Sequence, residues 1–383
     1  MEDAERRNIL KVLYVTIFLT ATGLGTTTFL LPVYAETLGA SYTDLGLIGA
    51  VGNVVYTGIT LVCGYMLDRY EKVNLYLVFN VIGGVTMVFF ALATTIPQII
   101  LVRGLLGLAA AAFWVAASTL TGQISPKEER TQSLGRYNLA WIAGFTVGPY
   151  AGGLVSGRCG YDVFFYSQAV FILVSLILIM LRIRGRIELR NPGRHEKTQL
   201  GELKPLTLAY LTLLPFTLVL GIYMAIIPGH MKVVGLTASI IGLLLTITNG
   251  TRGLFFFNVQ NLVNWGTRKS IIAASIFIAI SMFLVRSGGD AVSFGVPLVF
   301  YGAGSGIMTP VMLDFISKRT PERLRGTAMG VHESIYGIGM CLGPLIGGAI
   351  ADIYSASTLY SLLVGVALLI LPFGYLMTRE PNP

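Results

Sequence analysis

The chain carries 383 residues, 54% of them hydrophobic and only 12% charged, about half the charge of an ordinary globular domain. Its apolar runs are too many and too long for the core of a soluble α/β fold, so the sequence reads as an integral membrane protein. The formal net charge of +8 brings no nucleic-acid partner with it, because no soluble stretch clusters basic and aromatic residues. Cys63, Cys159 and Cys341 stand in or near different apolar runs without a CxxC spacing, which indicates neither a disulfide framework nor a zinc site.

In chain order, a mixed-charge head over 1–11 leads into an apolar run too long and too rich in Thr and Gly for a cleaved signal, so it is read as the first membrane span. With about 20 residues as the crossing length, six spans are predicted at 12–34, 43–66, 73–94, 97–121, 133–155 and 164–181. A polar stretch at 182–204 follows, and then six more spans at 206–227, 238–263, 270–285, 292–316, 328–350 and 359–377. The predicted fold is an all-α membrane protein of twelve transmembrane helices in two pseudo-symmetric six-helix bundles, 1–184 and 206–383, joined by a linker at 185–205.

An even number of spans puts both termini on one side, and the basic residues choose the side. Of 27 Lys and Arg residues, Arg103 and Arg252 fall inside spans, while Arg158, Lys232 and Arg286 fall in loops of the opposite sign. All the others lie at the termini or in alternate loops on one side. The positive-inside rule makes that side the cytoplasm of a protein in the cell membrane. The third span of each triplet, such as 164–181 or 270–285, is apolar almost all round and is expected to face lipid. The first and second spans carry Gly, Thr, Asn and charge, as at 20–28 and 246–252, and belong against other helices or water.

Both halves contain the same decapeptide pattern. GFTVGPYAGG at 144–153 and GMCLGPLIGG at 339–348 each read G-x-x-x-G-P-x-x-G-G, and their 195-residue offset, held without a gap, also pairs Pro126 with Pro321, Arg130 with Arg325 and Gly135 with Gly330. One doubling near half the chain length means two related halves rather than a solenoid. Gly144, Gly148, Gly152 and Gly153, like Gly339, Gly343, Gly347 and Gly348, allow close approach of helix backbones. Pro149 and Pro344 bend their helices, so each copy is a hinge or a packing motif.

A few charged and polar residues carry the chemistry. Gly64, Asp68, Arg69 and Lys72 mark the turn after the second span. A carboxylate there can accept from basic groups and backbone N–H of a neighbouring helix and latch the halves in one state; a solvated loop pair is the alternative. Arg103 stands well inside the fourth span in an R-x-x-x-G setting, where it needs a partner or water unless it snorkels to the interface. Glu333 is the only carboxylate deep in a span, and Arg252 lies at about the same depth in the eighth. An ion pair between them is geometrically available, whether structural or titrating. His332 is expected to point about 100° away from Glu333, as a cavity-lining or packing residue. Asp314 near the end of the tenth span is either solvated or paired with Lys318. Candidate cavity groups, from span membership alone, are Asn53, Trp114, Asn138, Asn249 and Tyr301.

The turn at Gly64 resembles the Major Facilitator Superfamily, whose signature there is G-x-x-x-D-R-x-G-R-R. This sequence keeps Gly64, Asp68, Arg69 and the basic Lys72, and departs at Glu71 and Val73. The second-half counterpart at 265–269 retains only the glycine and the basic end. The resemblance implies a proton-coupling role for Arg103, and the copy at Gly144 looks like the fifth-helix motif associated with the superfamily's antiporters; repeat ancestry also accounts for the two copies. No P-loop, metal cluster or Ser/His/Asp constellation is present in the sequence, so neither cofactor nor enzymatic activity is expected. The expectation is a secondary transporter, with proton-coupled efflux of a small, amphipathic molecule favoured by the resemblance. Its partners would be substrate, protons and lipid, and it would act as a monomer. The alternatives are a symporter or facilitator taking up a sugar, organic acid or nucleoside, and a non-transporting membrane receptor or scaffold.

Overall fold

The computed structural model describes residues 3–126, 129–185, 200–321 and 324–378, which fold into helices with no strand among them. The first half is α1 (Asp3–Thr37), α2 (Tyr42–Arg69), α3 (Lys72–Leu92), α4 (Ile96–Ile124), α5 (Arg130–Cys159) and α6 (Tyr161–Arg182). Of the predicted linker, 186–199 lies outside the described residues, and a 3-10 turn, Leu200–Leu206, leads into the second half. That half is α7 (Thr207–Ala225), α8 (Ile227–Val233), α9 (Ala238–Phe257), α10 (Val259–Trp265), α11 (Thr267–Val285), α12 (Ala291–Lys318), α13 (Arg325–Ile353), α14 (Ala356–Leu368) and α15 (Ile370–Met377). Among the described residues, 11 segments are long and apolar enough to cross a membrane. The 28-residue α2, about 42 Å of helix, makes the twelfth crossing.

Three predicted crossings are each two helices, and two of the breaks have a local cause. Between α7 and α8 the break at Ile226 comes two residues before Pro228, which has no N–H to give. Between α9 and α10, the Asn258 side chain donates to the Leu254 carbonyl at 2.7 Å, and its own N–H turns to Phe255 instead. At the opposite extreme α5 passes into α6 through one residue, Gly160, whose φ of 88° is open to glycine and costly for a side chain.

Within the first half α1 packs on α5 and α6, α2 on α4, and α3 on α4 and α6; in the second, α7 packs on α13 and α15, α9 on α12, and α11 on α12 and α14. α3 and α6 turn Val81, Val85, Val170 and Leu173 outward, as expected of helices that meet lipid. Between the halves, α2 lies along α13 and α5 along α9.

The decapeptides build both of those seams. Gly144, Gly148 and Gly152 face α1: a Cβ on Gly144 would stand 2.9 Å from the Phe18 carbonyl oxygen, and Cβ atoms on the other two would run into Thr26. Gly153 faces the other half, where a Cβ would overlap the Ala238 carbonyl of α9, while the Pro149 carbonyl lies against Gly242. The second copy repeats this with partners exchanged. Gly339, Gly343 and Gly347 face Thr217, Leu218 and Ile222 of α7, Gly348 meets the Tyr42 carbonyl of α2, and Pro344 meets Gly46. Each copy therefore packs one face within its own half and the other across the molecule.

These contacts close the molecule at the face away from the chain termini. Toward the termini, where Arg7 and Glu129 pair at 3.4 Å between the starts of α1 and α5, the halves part. Gly135 and Gly330, matched by the same offset, would have nothing within 4 Å of a Cβ. The space between the halves on the terminal side is therefore the candidate vestibule.

Candidate substrate vestibule

The closed end of the vestibule is sewn by polar side chains. Asn53 donates to the Met340 carbonyl across the seam at 2.9 Å and to Gly49 at 2.9 Å. Asn249 donates to the Phe145 carbonyl at 3.1 Å, and Thr246 to Thr146 at 2.6 Å. The amide donors of Asn53 and Asn249 are thus used in holding the halves together.

Arg103 is only 8% exposed, so it does not snorkel. Its guanidinium lies on α2 at Gly52, where a Cβ would come 2.5 Å from Cζ, and Gly107 one turn on meets the Gly52 carbonyl. The R-x-x-x-G spacing is thus a docking of α4 on α2 that aims Arg103 into a small cavity with Thr28, Pro32, Asn53, Met224 and Met340. Among the described residues no carboxylate pairs with it.

The expected ion pair of Glu333 with Arg252 does not form among the described residues. The Glu333 carboxylate instead meets Nδ1 of its neighbour His332 at 3.2 Å, and its side chain is 48% exposed, toward the vestibule, while His332 is 3% exposed. The two adjacent side chains bend together, contrary to the 100° separation of their Cα–Cβ directions. Tyr336, one turn further, stands within electrostatic reach of both Glu333 and Arg252, and its ring lies 5.6 Å from that of His332. Asp314 pairs with Lys318 at 2.9 Å and so has a local partner.

Aromatic rings form a chain of contacts beside these groups. Trp114 contacts Trp141 and Phe145 at 5.4 and 5.8 Å between ring centres, and Asn138 accepts from Trp141 Nε1 at 3.0 Å. Phe145 leads through Phe29 to Tyr223, which stacks on Tyr301 at 4.2 Å. Trp114 and Asn138 are half-buried beside Trp141, whereas Tyr301, expected in the cavity, is only 1% exposed and packs against Tyr223. Trp141, Phe145, Tyr223 and Tyr336 were missed, although the four-residue spacing of Trp141 and Phe145 on a polar-faced helix marks one stripe.

At the predicted latch, Glu71 caps α3 by accepting from Val73 and Asn74, which gives the departure from the signature a local role. Lys72 is buried and Arg69 exposed at the terminal face. The side chain of Asp68, and Gly64 with it, lies outside the described residues.

The model of the family described as Major Facilitator Superfamily matches residues 13–211 and 209–383. An uncharacterised MFS-type transporter of Methanocaldococcus jannaschii is 23% identical over 370 residues, covering 93% of this chain and 96% of that one. The quinolone resistance protein NorA of Staphylococcus aureus is 23% identical over 378 residues, covering 93% of each. Among solved structures, the nucleoside transporter NupG superposes with a TM-score of 0.78 at 15% identity over 98% of this chain and 100% of that one. A bacterial homolog of the human lysosomal transporter Spinster, inward-facing and occupied, gives 0.77 at 13% over 99% and 98%. Two helical halves related by an internal repeat, closed on each other at one end around a shared vestibule, and a family match that runs through both halves lead to one assignment: the chain belongs to the Major Facilitator Superfamily and is a membrane transporter.

Proposed function

We propose that this transporter is a proton-coupled exporter, acting as a monomer in the cell membrane with both termini cytoplasmic, that moves a small amphipathic molecule outward by alternating access. The observation that carries the reading is Glu333. It is a carboxylate in mid-helix on a seam helix, half-exposed to the vestibule and hydrogen-bonded to a buried histidine, so its access to water changes whenever α13 rocks against α2. Similarity to NorA supports export. The basic residues on the terminal face support the orientation, and in that orientation the vestibule opens to the cytoplasm, where an exporter loads. Arg103 would hold the closed end around Asn53, and Asp68, Arg69 and Lys72 would latch the terminal face when it shuts.

Reconstituted vesicles with an imposed proton gradient test this, with solute flux and internal pH read together. Solute and protons moving in opposite directions is the expected result; movement in the same direction would establish the symport reading instead. Labelling with an impermeant reagent checks the orientation: a cysteine at position 232 should react from outside the cell and one at position 195 should not.

A further inference from the structure

We propose that the recess around Arg252 receives the acidic head of an aromatic anion, a carboxylate on a flat ring system, and that this is the solute class the vestibule carries. The binding claim stands on the recess; that the bound anion is carried rests on the transport reading above. The recess lies across the α5–α9 seam, with Trp141, Ile142 and Phe145 from one half and Asn249, Arg252 and Phe256 from the other.

Three features of the recess select an anion. Its lining contains no carboxylate, and among the described residues none comes within ion-pair distance of Arg252. The groups near the guanidinium are the phenols of Tyr223, Tyr301 and Tyr336, the last as a hydrogen-bond partner, and the first two have buried hydroxyls without a hydrogen-bond partner. A guanidinium fork at this depth calls for a counter-charge, and a carboxylate matches it with two parallel hydrogen bonds. Glu333, the group a cation would seek, already meets His332.

The walls supply the rest of the recognition. Trp141 stands at 82° to Phe145 and at 80° to Phe256, with ring centres 5.6 and 6.4 Å apart, so the three rings in mutual contact present both faces and edges to a flat ring that packs on them. A ligand held by Trp141 and Arg252 touches both halves at once and loads the seam that must part.

Equilibrium binding to the full chain in lipid nanodiscs tests this with three probes of one shape: 2-naphthoate, 2-naphthamide and 2-naphthylmethylammonium. Naphthoate should bind about tenfold more tightly than either of the others, the worth of hydrogen bonds to a charged group. Arg252→Gln should bring the three together, and Arg252→Lys should restore part of the preference. Phe256→Ala should weaken all three without reordering them, which separates wall from charge. Tighter binding of the ammonium to the unaltered protein, or a naphthoate preference that survives in a folded Arg252→Gln protein, would overturn the proposal. Vesicle flux keeps the two readings apart. Naphthoate bound but never moved supports the recess and defeats the transport reading, whereas gradient-driven export of the ammonium with naphthoate neither bound nor moved defeats the recess alone.

Discussion

Glu333 bonds to His332 rather than to Arg252, and that changes what its removal should do. Had it neutralised a buried arginine, Glu333→Gln would strand a charge and cost about 3–5 kcal/mol. With a half-exposed carboxylate on a neighbouring histidine, the loss should be about one hydrogen bond, roughly 1 kcal/mol. The amide keeps the shape and removes the carboxylate. Glu333→Gln should therefore fold, show nearly unchanged thermal unfolding, and carry out solute exchange while failing to accumulate solute against a proton gradient. A well-folded mutant that still concentrates solute would sink the coupling role and move it to Arg103 or Asp68. Depth in a span was legible for Glu333, Arg252 and Arg103, because it follows from counting residues. Their partners were not, because pairing depends on how helices from opposite halves rotate against each other, which no local spacing records.

At the scale of the element, the two decapeptides show why a glycine pattern reads well from sequence while a helix break does not. Glycines four apart lie on one helix face whatever surrounds them, so close packing was predictable at Gly144 and Gly339. The break at Asn258 depends on a side chain capturing the Leu254 carbonyl, a rotamer choice that composition does not announce. The hinge and packing alternatives for the decapeptides also resolve into something testable, since each copy has an inward face and a cross-molecule face. Gly153→Ala and Gly348→Ala should each push a backbone carbonyl of the other half and destabilise the closed seam by about 1–3 kcal/mol. Gly135→Ala and Gly330→Ala, with open space around them, should be neutral or gain up to about 1 kcal/mol of helix stability. Thermal unfolding of the four proteins in one detergent reads the difference. Equal effects at all four sites would mean that the seam glycines matter only as helix residues.

Across the whole molecule, rocking between states requires the face away from the termini to open, and the structure puts a specific clamp there. Asp352, at the end of α13, accepts from the backbone N–H of Tyr42 and Thr43 at 3.0 and 2.7 Å, so the carboxylate of one half caps the first turn of α2 in the other. Beside it the Tyr42 hydroxyl meets His230 Nδ1 at 2.6 Å. An acidic group near a helix N-terminus stabilises it through the free N–H groups and the helix dipole, and this one does so only while the halves touch. Asp352→Ala should therefore favour the state open at this face by about 1–2 kcal/mol, roughly five- to thirtyfold in the ratio of states. Asp44 is the internal control. It caps α2 from within the same helix start, through Ser41, so Asp44→Ala should weaken α2 in both states without shifting their ratio. With Cys63, Cys159 and Cys341 replaced, a single cysteine at Ser239, which sits on this seam against Gly153, reports opening by its rate of modification. Faster modification in Asp352→Ala than in Asp44→Ala is the expected outcome. Equal rates would mean that the glycine seam and its other hydrogen bonds hold the face shut without Asp352, which would then be an ordinary cap that happens to lie on the other half.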